Sequence, residues 1–365
     1  MKRAAHLVGS IPAATTDEAI GLALERLGPL LRTVPDGETG ERSRWIVHIM
    51  LALRSHPELE LVRDGEWSDY KDATLYRVRR GHRLRGESLR FGQSESALES
   101  HAVFTRLRDQ LGLPGLTFQV GIPSDLDMAA FTLGPVSGLR HRRPFTEATL
   151  AEITRVHERL GDDAVFQLEM PVELVMLSGV PSPVQPALAR YLGSGIARLA
   201  RRSPQGCRFG LHLCLGDLGH HALGRMRSAR PMVHLINAIV RAWPPGRGLE
   251  YVHAPFAAGV EPPVTDPNWY APLAELRLPS SVRFVAGFAH EDQPLEEQRA
   301  LRTVIEQRVG RLVDIAAACG LGRMTPATAE AVMSRMEELT ADEPAPSVTA
   351  TLVGVPTPAS DLARR

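Results

Sequence analysis

Short apolar runs recur along this chain, and most are followed by a polar loop and then a helical pattern. The runs fall at residues 4–9, 30–34, 116–122, 164–168, 208–213, 249–252, 282–286 and 313–318. Each is apolar almost throughout rather than at alternate positions. That predicts parallel strands buried on both faces, because a strand with one wet face alternates. Between the runs the period changes to helical. Thr16, Asp17 and Glu18 open a helix reaching about Leu27, with acidic groups where the helix dipole favours them. Residues 44–53, 147–160 and 295–309 also read as helices. Eight strand–helix units predict an α/β protein, a single-domain (β/α)8 TIM barrel over residues 1–340.

Two stretches depart from the repeat. Residues 57–113 are too long for a plain strand–helix connection, so they read as an insertion after the second unit. This stretch carries Arg77, Arg79, Arg80, His82, Arg83, Arg85 and Arg90. It is either a solvated hairpin over the barrel mouth or an anion-binding lid. Residues 341–365, rich in Ala, Pro, Thr and Val without helical period, read as a flexible tail.

Charge and cysteine content then narrow the function classes. Lys plus Arg number 42 and Asp plus Glu number 42, so nothing points to a nucleic-acid or membrane partner. The expected partner is a small molecule, and the oligomeric state stays open. The 3 cysteines are too few and too scattered for a disulfide framework, which suits a reducing cytoplasm. The N-terminus lacks a secretory signal pattern, and no run approaches the roughly 20 apolar residues that span a bilayer.

Three stretches carry metal-ligand chemistry. His212 and Cys214 lie two apart at the end of an apolar run, so in a strand they project to one face. Cys319 ends the last run, and Glu250-Tyr251-Val252-His253 ends the sixth. Zinc takes this mixture of nitrogen and sulfur, and barrel sites form at C-terminal strand ends. Glu250 and His253 are an odd number apart and face opposite sides of a strand. His253, nearer the C-terminal end, is therefore expected to face the metal, and Glu250 to point toward the helices or a salt bridge. The remaining candidates each have a plainer reading. Ser10 binds a carboxylate or caps the next helix. Glu169 anchors a ligand or forms a structural ion pair. Asp36 and Glu38 orient substrate or serve as turn residues, with Arg42 close by in the same loop. Trp45 lines a pocket or packs. Asp217 and His220 sit just beyond the His-x-Cys loop, where His220 is an acid–base candidate or a surface residue.

Together these motifs carry a resemblance. Val8-Gly9-Ser10-Ile11-Pro12, Phe166-Gln167-Leu168-Glu169-Met170-Pro171, His212-Leu213-Cys214 and Cys319-Gly320-Leu321-Gly322-Arg323 occur in the order found in the catalytic domain of cobalamin-independent methionine synthases. The match runs from residue 6 to about 335. The chain resembles a divergent branch of that superfamily, which also holds uroporphyrinogen decarboxylase and the coenzyme M alkyltransferases. The resemblance implies a barrel, a bound Zn2+, and a zinc-activated thiolate that accepts or gives up a methyl or alkyl group. It implies His212, Cys214 and Cys319 as ligands, with His253 where the family has a glutamate ligand. It places Ser10 and Glu169 at the substrate. The residues' own positions add Glu38, Arg42, Trp45 and Asp217 at the substrate and set Asp36 and His220 with Glu169 at the chemistry, although the loop from Asp36 to Gly40, with Arg42 and Trp45, has no counterpart in the synthases. Met170 replaces a family acid and no folate-holding N-terminal half precedes this barrel, so a true methionine synthase is not expected. The alternatives are a lyase of the decarboxylase type, which would use Arg42, Arg44 and the 77–90 arginines, and a non-catalytic binding barrel.

Overall fold

The computed structural model describes residues 2–341. Nine strands are present among the described residues: β1 (Thr33–Pro35), β2 (Leu59–Arg63), β3 (Leu75–Val78), β4 (Thr117–Pro123), β5 (Ala164–Met170), β6 (Arg208–Leu213), β7 (Gly248–Pro255), β8 (Arg283–Ala289) and β9 (Asp314–Ala317). Seven of them form one sheet in the order β1-β4-β5-β6-β7-β8-β9, every pairing parallel. The apolar runs became strands for the reason their pattern suggests. β5 is buried along its whole length, with side chains of the sheet interior on one face and helices on the other.

The first run, residues 4–9, makes a single parallel bridge, Ala5 with Ile315 of β9. Around it, His6 N–H donates to Ile315 O at 2.9 Å, and Ala5 N–H donates to Leu30 O at 3.0 Å. Ile315 N–H also donates to Ala4 O at 2.9 Å, and buried side chains fasten the segment further. Gln119 Nε2 donates to Leu7 O and Val8 O at 3.0 and 2.8 Å, and Gln167 Nε2 donates to Val8 O at 2.7 Å. Gln119 Oε1 accepts from Thr33 Oγ1 and Tyr251 O–H at 2.8 and 3.0 Å. All of these side chains are buried, so their pairing is obligatory.

The helices follow the pattern with instructive exceptions. Thr16–Leu27 starts at an N-cap Thr15, whose hydroxyl accepts from Glu18 N–H. The helix expected over 44–53 runs only Val47–Ala52, behind a 3-10 turn at Gly40–Arg44. Trp45 between them has φ +54°, outside the helical region, and splits the element. Between β7 and β8 stands a 3-10 helix, Pro267–Glu275, in place of an α-helix. Pro272 inside it lacks the N–H that an α-helix would need there.

Residues 57–113 divide in two. β2 and β3 form an antiparallel hairpin with a bulge between Leu61 and Arg63, and Gln93–Gln110 is a long helix packed on Thr16–Leu27 and Arg142–Leu160. The part outside the strand–helix repeat is thus the hairpin and its flanks. It has its own small core, where Trp67, Tyr76 and Phe91 meet Met50, Met128 and Phe145. The arginines of the hairpin point to solvent, and Arg77 pairs with Glu60 at 2.8 Å. Apart from Ala341, the last residue of helix Pro326–Ala341, the expected tail lies outside the described residues.

Tyr251 O–H is the one phenol in the interior network, 3.0 Å from Gln119 Oε1 and 3.1 Å from Gln167 Oε1. Tyr251→Phe removes that donor without opening a cavity. We expect a loss of about 1–2 kcal/mol, read from urea unfolding with an unchanged m-value. No change in midpoint would mean the phenol contributes nothing to holding the strands.

Candidate metal centre

The C-terminal ends of β5, β6 and β7 bring three polar residues into one row: Glu169 lies opposite His212, and His212 opposite His253. Cys214 follows β6 directly, and Cys319 follows β9. His212, Cys214 and Cys319 each offer a ligand atom, and these atoms lie within 4.8 Å of one another. Cys214 Sγ and Cys319 Sγ are 3.6 Å apart, and Cys319 Sγ is 3.9 Å from His212 Nε2. Gly216 N–H donates to Cys214 Sγ at 3.2 Å. The three cysteines are free. The adjacent Cys214 thiol, then burial, push the Cys319 thiol well above its ordinary value. Burial, then the neighbouring His253 and His6, hold His212 well below its ordinary value, so the ring is neutral and has a lone pair to give.

His253 stands apart from this group, which differs from its expected place as a direct ligand. Its Nδ1 is 2.8 Å from His212 Nδ1, and its Nε2 is 2.9 Å from Ala317 O. The ring is fully buried behind His212, and burial pushes it down to about 4, against the carbonyls of Ala317 and Leu213. Glu250 lies nearer the start of β7 and pairs with Arg208 at 2.6 Å.

Beside the thiols opens a small cavity of about 60 Å³. One wall is acidic. Glu169 Oε2 accepts from Trp45 Nε1–H, and Oε1 accepts from Gln167 Nε2–H at 3.2 Å. Glu38 is close by: a Cβ placed on Gly121 would stand 3.0 Å from Glu169 Oε1 and 3.3 Å from Glu38 Oε1. Gly121 therefore leaves room for two carboxylates to share one space. Burial pushes Glu169 up to about 7. Burial and then the Glu169 carboxylate push Glu38 up to about 8. Near neutral pH the pair therefore holds on to protons that lone carboxylates would release. Met170 is buried in the core, so the second acid of the cavity comes from the loop after β1 rather than from position 170.

Arg323 and Ser10 also line the cavity. Ser10 Oγ accepts from Arg323 Nη1 at 2.8 Å and from Gly322 N–H at 3.3 Å, and Ser10 O accepts from Leu321 N–H at 2.7 Å. Ser10 ties the first segment to the last loop, while Thr15 caps the helix. Burial opposes the charge on Arg323, and Cys319, Asp217 and Glu38 sustain it. Trp67 and Tyr70, from the hairpin, close the aromatic side with Trp45 and Phe131. Trp67 Nε1 is buried and has no partner among the described residues.

Other candidates sit elsewhere. Asp36 is not in the wall of this cavity. Its carboxylate accepts from Glu38 N–H at 2.9 Å, from Ser100 Oγ at 3.3 Å, and from the Arg42 guanidinium. Asp36 and Arg42 thus hold the loop that presents Glu38, because a buried acid takes the nearest donors. His220 is likewise outside the wall, 3.0 Å from Glu291 and 3.7 Å from Asp217. Those two acids push it up to about 10, which fixes it as a cation rather than a proton shuttle. Asp217 does line the cavity. Trp67, Tyr70, Phe131 and Arg323 were not among the candidates. The first two come from an aperiodic hairpin, where only their aromatic character distinguished them.

No protein-family model matches the chain, and no curated protein does. Solved structures do. A B12-independent methionine synthase from Shewanella sp. W3-18-1, in complex with selenomethionine, is similar over 93% of this chain and 97% of its own, at 14% identity and a TM-score of 0.57. A methyltransferase from Methanosarcina mazei is similar over 93% of this chain and 95% of its own, at 15% identity and a TM-score of 0.53. The fold is shared with these methyltransferases. At such identity the likeness speaks for the fold alone.

Two measurements follow. The purified chain is expected to hold about one zinc, and Cys214→Ser with Cys319→Ser to abolish it while circular dichroism stays unchanged. Zinc retained in the double variant would exclude these thiols as ligands. Glu38→Gln is expected to raise stability relative to wild type with increasing pH. A carboxyl at an ordinary 4.5 when unfolded and about 8 when folded contributes stability that is fully present below 4.5 and lost as pH rises through 8. The gap in melting temperature between variant and wild type should therefore widen from pH 5 to pH 9. A gap that is constant across that window would show the carboxyl titrates normally.

Proposed function

We propose that this chain is a zinc-dependent transferase that moves a methyl or other small alkyl group to or from the thiol of a small molecule. The observation that carries the reading is the convergence of His212, Cys214 and Cys319 within 4.8 Å, beside a cavity, on a fold shared with methyltransferases. One imidazole nitrogen and two thiols form a donor set suited to zinc. His212 through Nε2, Cys214 and Cys319 would hold it. When bound, the metal lowers the pKa of a coordinated thiol, keeping it as thiolate near neutral pH.

The chain's own residues do the rest. Glu38 and Glu169 offer a protonated-to-anionic pair that fits an ammonium or hydroxyl head group of the substrate. Arg323, which also lines the cavity, fits an anionic group. Trp45, Trp67 and Phe131 exclude water from the reacting atoms, and the unpaired Trp67 Nε1–H is free to donate to a ligand. An acceptor with both an amine and a carboxylate would satisfy both the acids and Arg323. The same reading takes residues 4–9 as an eighth strand closing a (β/α)8 barrel over 1–340, supported by the bridge to β9 and the bond to Leu30. Two thiols that must stay reduced suit a reducing cytoplasm. No helix among the described residues is long and apolar enough to cross a membrane.

The lyase reading has less support. Arg42 is paired with Asp36, and Arg44, although it lines the cavity, donates its guanidinium hydrogens to the carbonyls of Glu66 and Trp67. None of the arginines from 77 to 90 lines the cavity.

The test is to incubate zinc-loaded protein with a panel of small thiols and methyl-labelled donors, and to follow labelled thioether by mass spectrometry. Turnover is expected with at least one pair, falling by about 100-fold or more in Cys319→Ser. Glu169→Gln is expected to raise KM about tenfold or more for an amine-bearing thiol, through loss of a charge-assisted bond worth about 1.5–3 kcal/mol. Thioether formation that survives removal of the metal would sink the mechanism.

A further inference from the structure

We infer that His253 is a positioning residue that fixes the tautomer of His212, so that His212 offers Nε2, unprotonated, to the metal. The inference rests on the metal reading above and concerns a residue that reading does not use. It follows from counting donors along one chain of contacts. Ala317 O can only accept, so His253 Nε2, 2.9 Å away, carries a proton. The ring is completely buried between His6 and His212, with the carbonyls of Ala317 and Leu213 beside it. A neutral imidazole protonated on Nε2 has a bare Nδ1. That Nδ1 is 2.8 Å from His212 Nδ1, so His212 Nδ1 must be the donor. A neutral His212 protonated on Nδ1 then has its lone pair on Nε2, the atom facing Cys319 Sγ at 3.9 Å.

The surroundings are shaped for this arrangement. Gly287 of β8 leaves the space that the ring occupies. A Cβ there would stand 2.5 Å from His253 Nε2 and 2.9 Å from Ala317 O, cutting across the bond that starts the chain. Register puts His212 and His253 directly opposite on neighbouring strands, so the contact is fixed by backbone pairing rather than by flexible side chains. Outer residues of this kind orient a ligand and raise its basicity, and their loss typically weakens metal affinity about 10–100-fold.

Three variants and one spectrum test it on the full chain. His253→Phe keeps the ring volume and removes the acceptor. His253→Asn places an amide oxygen near the former Nδ1 and keeps it. Competition with a chromophoric chelator should show zinc affinity about 10–100-fold weaker in His253→Phe and within a few-fold of wild type in His253→Asn. Gly287→Ala should weaken zinc like His253→Phe. Cobalt-substituted His253→Asn should keep the wild-type ligand-field spectrum, since the ligands are unchanged. Nitrogen-15 spectra of histidine-labelled wild type, which need no variant to fold, should show Nδ1–H at His212 and Nε2–H at His253. Wild-type affinity in His253→Phe, or Nε2–H at His212, would overturn the inference and leave the metal reading intact. Equal loss of zinc in His253→Phe and His253→Asn, with an altered cobalt spectrum, would make His253 a direct ligand and overturn it too. A wild-type chain that binds no zinc would sink the metal reading itself, and the positioning role with it.

Discussion

The architecture hangs on one requirement: polar side chains inside the sheet must all be paired. Gln119, Gln167 and Tyr251 reach inward from β4, β5 and β7, and each would cost about 1–3 kcal/mol per orphaned group if left without partners. They find partners in one another, in Thr33 of β1, and in the carbonyls of Leu7 and Val8. The backbone ladder gives the N-terminal segment one bridge, and the amides give it three more bonds. Ser10 is placed where Arg323 and the Cys319 loop can meet it because that segment is held so firmly. Gln167 then donates to Glu169, so the same network reaches the acidic wall of the cavity.

The strand runs were legible because a strand covered on both faces has no choice but to be apolar throughout. Seven runs recur as sheet strands with ends shifted by a few residues at most. The first run is as apolar as the others, yet it makes a single bridge, and its hold is completed by side-chain bonds that no hydropathy pattern reports. The helix after β7 was illegible for the opposite reason. Pro272 disfavours the α form inside the helix, while apolar residues at helical spacing still bury Tyr270 and Leu273.

At the site, legibility follows how local each signal is. His212 and Cys214 share a face through strand geometry alone, and Glu250 pairs away from the centre with Arg208, as the odd spacing to His253 requires. The same spacing could not say which atom His253 meets, because that depends on the neighbouring strand's register and on Gly287. Asp36 and Arg42 looked like site residues because they flank Glu38. Each satisfies the other, and their contribution is the shape of the loop. Trp67 and Tyr70 arrive from a hairpin whose fold rests on its own small core, so only tertiary structure could bring them to the thiols.

A histidine standing behind the centre, where the resembled family has a carboxylate ligand, changes the charge there. Two thiolates and a divalent cation sum to zero, and an added carboxylate would make the centre anionic. A neutral His253 would add nothing to that sum, and with three protein ligands a bound zinc would keep its fourth position for a substrate sulfur, as in catalytic rather than structural zinc sites. A thiolate there would make the centre singly negative beside Arg323, which Cys319, Asp217 and Glu38 already keep charged. On the proposed function, Arg323 would therefore stabilise the thiolate-bound state more than the empty one. Neutralising it as Arg323→Met should weaken thiol binding more than zinc binding, since a neutral centre gives the guanidinium little to stabilise. Equal losses of both would mean that the guanidinium serves only to pin Ser10.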